Sequence, residues 1–527
     1  MRDVASIWGY IFFFVYLDNF KLKMEKIVII GAGVAGVNAA TKLVDNGYPG
    51  DHITIIDMGN NPYNRKPEEV MTGFMGAGGW SDGKLTYHTS IGGHMSKYCG
   101  EEKAMELMDQ VITNFKRFHP KPEEVQCSNP IAEPDFIKPY FGLRLFPVWH
   151  VGTDYLHEIG KNWYDFLCDK GIKFYWNTKV TNVFPDKNRV GFEHLNRNRQ
   201  GGGTLDYDRL IFGVGKSGID FGKRIIEENK YPTEAKPVQV GVRFEAPQKH
   251  FQKLIDVSYD FKLYRKFEDK GVSLRSFCTN NNAAYVALEE TYGDYSYNGH
   301  AKKDESYRND MTNFGILMEV RGIDKPFEWS RELVSKVQKS NIVSGEGIGG
   351  KKAVGRFESK YKAGLYYSPS GKDKTLTSEG DWVKAHYIGE KGLQEVRDAF
   401  KGYFKYIEDF IEDMKKVFPT LGDDWGIYIP EVKYLSPEPL VDYDNLSLNE
   451  VSNIHFVGDA LSARGITVSG AQGTYVAESI LNQKEVDDFL EWADKPGPWS
   501  EEDDKIFTVG GLSNDKDNSF MEFINKK

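Results

Sequence analysis

The sequence predicts an α/β fold: a doubly wound, Rossmann-type domain with a mixed β-sheet/helix domain inserted in it. Three observations carry this. Residues 26–57 read strand, glycine turn, helix, strand, acid. Residues 453–481 read strand, Gly-Asp turn, helix, as though the first domain were being completed from far away. Between them, residues 236–439 change texture to strand-like runs separated by long polar loops.

The opening unit sets the rest. Residues 27–30 are apolar and β-branched, as a strand buried on both faces requires. Gly31, Gly33 and Gly36 form G-x-G-x-x-G, with Ala32, Val34 and Ala35 completing the turn. Gly31 permits the tight turn, Gly33 lets a pyrophosphate approach the backbone, and Gly36 lets helix and strand pack closely. The helix that follows puts Ala35, Ala39 and Leu43 on one face and stops at Asn46-Gly47. Its N-terminus offers N–H groups and a positive dipole end to phosphates. The second strand, 53–56, leads into Asp57, 21 residues beyond Gly36, where a carboxylate accepts hydrogen bonds from a ribose. Met58 follows it. The alternative is a plain βαβ turn.

At 527 residues the chain holds about two to four domains. Its net charge of −10 opposes the basic field that nucleic-acid binding needs. Cys99, Cys127, Cys168 and Cys278 are scattered, so there is no C-x-x-C dithiol and no zinc knuckle. That usage suits a reducing, cytoplasmic compartment. The apolar run at 7–17 is 11 residues long, too short to span a bilayer. Residues 1–23 are open to three readings: a dispensable extension before Met24, a packed arm, or a membrane-contacting anchor.

Further along, 73–93 is dense in glycine, as expected of a loop wrapped round a ligand. Helices are expected at 101–118 and 155–170, then strands at 172–176, 179–184, 190–195 and 209–215, with a turn at 196–203. Residues 213–218, GVGKSG, repeat the glycine pattern. They read as a second nucleotide turn or as a returning strand whose turn passes the first. No acid-ended strand stands about 20 residues on, as a second site requires. The inserted segment predicts strands at 238–244, 283–288 and 314–320, and helices at 327–339 and 390–418. Residues 345–350 are a glycine-rich loop but not a P-loop, since GKK follows. The expected organisation is an extension (1–23), a first part of the nucleotide domain (24–235), a substrate domain (236–439), a closing part (440–484) and an acidic tail (485–527).

The closing unit discriminates between dinucleotides. An NAD domain is complete within its local repeats. An FAD domain is closed by a distant segment whose aspartate meets the ribityl hydroxyls and whose helix N-terminus faces the flavin pyrimidine. Gly458, Asp459, Gly465 and Ile466 have that arrangement, 428 residues from Gly31 to Asp459.

The motifs also resemble a family. GAGVAG at 31–36, GAGGWSDGKL at 76–85, GVGKSG at 213–218, GVRFE at 241–245, LRSFC at 274–278 and GDALSARGITVSGAQG at 458–473 are similar to those of the NAD(P)/FAD-dependent oxidoreductases, the FAD-dependent dehydrogenases of the glutathione-reductase-like superfamily. The likeness covers about residues 26–482. The chain departs from the pattern after Cys278, where TNNNAAY replaces a Cys/Pro/Gly-rich turn.

The resemblance implies bound FAD, a small-molecule substrate and NAD(P)H as a candidate donor. It implies no particular substrate and no oligomeric state. It places the loop with Gly79, Ser81, Lys84 and Leu85 beside the isoalloxazine, and adds Val180, Gly213 and Gly215 to the cofactor set. Lys84 is then a candidate for stabilising negative charge, or else a solvated surface lysine. Ser81-Asp82 reads as a turn cap. Cys278, near Arg275, is either a thiol of lowered pKa or buried packing. His88 and His94 are candidate proton donors or loop histidines. A monooxygenase or saturating reductase on the same fold, and a non-catalytic scaffold, remain alternatives.

Overall fold

The computed structural model describes residues 24–66, 69–131, 134–195, 201–236, 238–267, 270–291, 294–339, 364–371, 385–433 and 437–493. The apolar run at 7–17, the loop at 345–350, residues 196–200 of the expected turn and the tail beyond 493 lie outside them.

A six-stranded sheet forms the base. Its order is Ser447–Leu448, Val451–Phe456, Arg209–Phe212, Ile27–Ile30, Ile53–Ile56, Lys173–Tyr175. All neighbours are parallel except the first pair. The first strand is buried throughout because helices cover both faces of a parallel sheet. The order reverses at this strand: the chain moves one way to Ile53–Ile56 and later returns on its other side as Arg209–Phe212. Ligands of open α/β sheets bind in the crevice at such a switch point.

The expected meander is present as Thr178–Phe184, Arg189–His194 and Gly202–Asp206. Behind the first helix, Val34–Asp45, pack Ser96–Phe118 and Leu156–Asp169. Trp163 stacks on Phe118 and donates to Thr41 Oγ1 at 2.7 Å.

The second large sheet is mixed and eight-stranded. Its centre is Gly426–Lys433, Val238–Pro247, Met311–Val320 and Val272–Asn280, all antiparallel. Gly142–Leu145, from well before residue 236, forms one edge. Strand alternation gives this sheet two unlike faces. Val240, Val242, Phe244 and Ala246 point into an apolar core shared with Phe314, Phe410 and Ile407. Gly241, Arg243 and Glu245 point the other way, and both charged residues are nonetheless buried.

Two expectations are corrected. The helix expected at 390–418 is two helices, Gly389–Ala399 and Phe404–Val417. The break falls at Lys401 and Gly402, both in left-handed backbone. The final helix, Ile466–Ala493, runs past Lys484 into what was expected to be the acidic tail. No described helix is long and apolar enough to cross a membrane.

Candidate functional site

The two distant glycine turns meet. A Cβ placed on Gly458 falls 3.4 Å from Ala35 Cβ, and one on Gly473 falls 2.0 Å from the Ala35 carbonyl oxygen. The final helix therefore crosses the first in near backbone contact, and Lys42 Nζ pairs with Glu478 Oε1 at 2.9 Å alongside. The two helix N-termini open on one cavity of about 560 Å3. That lies within the roughly 300–1,000 Å3 usual for ligand pockets.

One wall is made of backbone. A Cβ on Gly31 falls 2.2 Å from the Gly213 carbonyl oxygen, and one on Gly36 falls 2.3 Å from the Gly31 carbonyl oxygen, so neither position admits a side chain. Gly33 is different: nothing lies within 4 Å of its Cβ position, and it lines the cavity. No side chain caps the helix that begins after it. The first-turn N–H groups are thereby left for a ligand. Gly213, Gly215 and the rest of the 213–218 turn line the same wall, beside the first strand rather than at a site of their own.

Asp57 lines the cavity too, and its carboxylate is heavily used. Oδ1 accepts from Gly59 N and Gly73 N, both at 2.7 Å, and Oδ2 accepts from Ala32 N at 2.8 Å. A carboxylate has roughly four acceptor positions, so at most about one is left for a ribose. Its first task is to tie three turns together.

The glycine-dense loop is shaped by Arg65, which the sequence reading missed. Its guanidinium donates to the carbonyls of Glu69, Val70, Phe74 and Gly76 at 2.6–3.1 Å. Burial pulls its pKa down to about 10.

The opposite wall is made of buried charge. Lys84 is 6% exposed, so the surface-lysine reading is wrong. Its Nζ donates to the Thr279 carbonyl at 2.5 Å and lies 2.9 Å from Asp82 Oδ2 and 3.6 Å from Asp260 Oδ2. Asp260 Oδ1 in turn lies 3.5 Å from Lys262 Nζ. Two carboxylates and two amines thus alternate in a buried row; Asp260 and Asp82 compensate Lys84 for its desolvation, whereas burial still pulls the Lys262 pKa down. Burial opposes the Lys84 charge, but Asp260 and Asp82 outweigh it and raise its pKa. Burial likewise opposes the Asp82 charge, yet Lys84 and Cys278 hold its pKa down at about 2. Ser81 and Asp82 also cap the turn as expected, accepting from Gly83 N and Lys84 N at 3.2 Å each.

Cys278 sits in left-handed backbone, φ 54°, where the strand register shifts between Phe277 and Asn280. A non-glycine residue held there is strained, and such strain clusters at functional sites. Arg243 braces it, donating to the carbonyls of Cys278 at 3.0 Å and Phe277 at 3.3 Å. The thiol reaches Asp82 Oδ2 at 2.8 Å. Burial and that carboxylate push its pKa up to about 11, which speaks for the packing alternative and against a thiol of lowered pKa. Arg275 instead bonds Gln239 Oε1 at 2.9 Å.

Of the expected cofactor set, Gly31, Gly33, Val34, Ala35, Asp57, Met58, Ser81, Lys84, Val180, Gly213, Gly215, Gly458, Asp459, Gly465 and Ile466 line the cavity. Ala32, Gly36, Gly79 and Leu85 do not line it, and neither do His88 and His94. His88 Nδ1 accepts from Ser90 N at 3.1 Å. Three side chains toward the closing turn carry buried polar atoms without an aligned hydrogen bond: Asp459 Oδ1, Arg464 Nε and Thr467 Oγ1. Asp459 faces Arg464 Nη1 at 2.6 Å. With the open face of Gly33 and two helix N-termini, this donor and acceptor set fits a dinucleotide carrying both phosphates and hydroxyls.

No protein-family model matches the chain, and no curated protein matches it. Among solved structures, a flavoprotein/dehydrogenase from Cytophaga hutchinsonii is 12% identical, with 87% of this chain and 79% of that chain covered and a TM-score of 0.33. L-proline dehydrogenase from P. horikoshii is 12% identical, with 87% and 94% covered and a TM-score of 0.36. Glycine oxidase from Bacillus cereus is 12% identical, with 87% and 95% covered and a TM-score of 0.35. Likeness at this level names neither ligand nor reaction for this chain.

Proposed function

We propose that this chain is an FAD-dependent oxidoreductase, a dehydrogenase or reductase of a small organic substrate, with NAD(P)H as a candidate donor. The observation that carries the proposal is the meeting of the Gly31–Gly36 and Gly458–Asp459 turns at one cavity. A nucleotide domain for NAD has no need of a closing turn from the far end of the chain. A cofactor with a ribityl chain between phosphates and ring does.

In this reading Gly33 and the first helix N-terminus hold the diphosphate, and Asp459 and Thr467 hold the ribityl hydroxyls. The final helix N-terminus faces the ring. FAD, when bound, supplies hydride or electron transfer. The protein binds it, orients it and keeps water out. Lys84 keeps its proton through the accessible pH range and presents a fixed positive charge beside the cavity. Cys278 keeps its proton at neutral pH and is neither nucleophile nor thiolate. The inserted segment, residues 236–439, supplies most of the charged wall and is the proposed substrate side.

Anaerobic titration of the purified protein with NADH and with NADPH tests this. Yellow protein bleached by one of them identifies the donor. Yellow protein bleached by neither indicates reduction by the substrate itself. Colourless protein that takes up no FAD on addition sinks the proposal.

A further inference from the structure

The charged wall does not close on itself. Asp82 and Asp260 are matched by Lys84 and Lys262, Glu431 by Arg243 at 3.3 Å, and Asp459 by Arg464. Lys433 is left over. It is nine-tenths buried, lines the cavity, and among the described residues no carboxylate lies within ion-pair distance of it. Its Nζ lies over the Phe277 ring, 2.9 Å from the centroid, and Lys262 Nζ lies 5.2 Å from the same centroid. Two buried amines therefore flank one aromatic ring at the cavity edge. Asp260 serves Lys262 at 3.5 Å, so it is Lys433 whose charge, taken out of water, is unfavourable until an anion arrives. The aromatic ring beside them suits an apolar or planar skeleton.

We infer that the Lys262–Phe277–Lys433 corner binds the carboxylate of an organic acid, which is the substrate class of the proposed oxidoreductase. This rests on the FAD reading for the word substrate, not for the anion site. Lys433 also feels Arg275, Arg464 and Lys216, and Glu431 opposes them. Burial and these cations drive its pKa well down, so an arriving carboxylate restores its charge. A diphosphate of the cofactor shares this chemistry, but the glycine wall and the first helix end already serve that group. The substrate carboxylate is the occupant the corner fits.

The test uses the full chain, wild type and the variants K433M, K433R and K262M, titrated calorimetrically with benzoate and with its uncharged analogue benzamide. Flavin absorbance is recorded in parallel. Benzoate is expected to bind and perturb the flavin spectrum, with benzamide at least about tenfold weaker. K433M should weaken benzoate by about thirtyfold, K262M by less, and K433R should restore most of it. Equal binding of benzoate and benzamide overturns the inference, as does unchanged benzoate affinity in K433M. If K433M instead loses FAD while reloaded protein binds benzoate normally, the cation serves the cofactor diphosphate and the inference fails. A colourless wild type that binds benzoate through Lys433 sinks the FAD reading and keeps the anion site.

Discussion

The two walls of the cavity are built by opposite means. The glycine wall recognises with backbone: turns, helix ends and close approaches, with hardly a charged side chain in contact. The facing wall recognises with side chains: Asp82, Lys84, Asp260, Lys262, Cys278 and Lys433 come from four separate stretches of chain, and all but the half-buried Cys278 are buried. A backbone wall tolerates almost no added atom where chain meets chain. A charged wall tolerates added atoms better than it tolerates a missing partner. The contrast can be broken or sharpened by mutation.

The largest effect is expected from Gly36→Val. Its Cβ would stand 2.3 Å from a carbonyl oxygen that cannot move without the first strand. A loss of about 4 kcal/mol or more is expected, read as insoluble protein or a collapsed denaturation midpoint. On the charged wall, Lys84→Met leaves Asp82 and Asp260 without their shared ammonium. About 3 kcal/mol should be lost in chemical denaturation. The double variant K84M/D82N should recover part of that, which a purely steric role would not allow.

Protons give the next effect. Burial lowers the pKa of His150 to about 3 and of His455 to about 4. A histidine whose folded pKa is lowered is charged only in the unfolded chain between the two values. Its contribution is intact above about pH 6.5 and is lost as pH falls below it. Denaturation midpoints should therefore drop between pH 6.5 and 4, by up to about 3 kcal/mol for each histidine. H150Q and H455Q should each flatten that slope. Asp82 acts in the same direction but lower: its stabilisation, about 2 kcal/mol, is complete above about pH 4 and disappears towards pH 2.

Gly33→Ala separates the walls most cleanly. The position has ordinary φ, −68°, and open space, so stability should change by less than about 1 kcal/mol. Retention of FAD, read from the absorbance of gel-filtered protein, should nevertheless fall at least about tenfold. The smallest effect is chemical: Cys278 should resist iodoacetamide at pH 8 while exposed Cys168 is alkylated, as peptide mapping reads.

The same contrast explains what the sequence could say. Backbone recognition demands glycines at fixed spacing, so Gly31, Gly33, Gly36 and the Gly458-Asp459 turn were visible before any coordinates. So were the parallel strands and the meander. A charge network demands only that partners meet in space. Nothing between Lys84 and Asp260 in the chain announces that they touch. Arg65 was invisible for the same reason, since four carbonyl acceptors leave no mark in the sequence. Asp57 shows a subtler failure: its position was legible, but not that three backbone N–H groups would claim it first. The continuous helix expected at 390–418 failed because nothing in its periodicity shows that Lys401 turns left-handed ahead of Gly402.

The cavity takes part of its lining from residues 458–469. While the chain is being synthesised, the front turn emerges hundreds of residues before the segment that completes it. During that interval the phosphate-facing helix end stands without its partner and has nothing to clamp. Ligand capture is thus a late event in the life of each molecule, and a nascent chain halted short of residue 458 should leave the ribosome empty-handed.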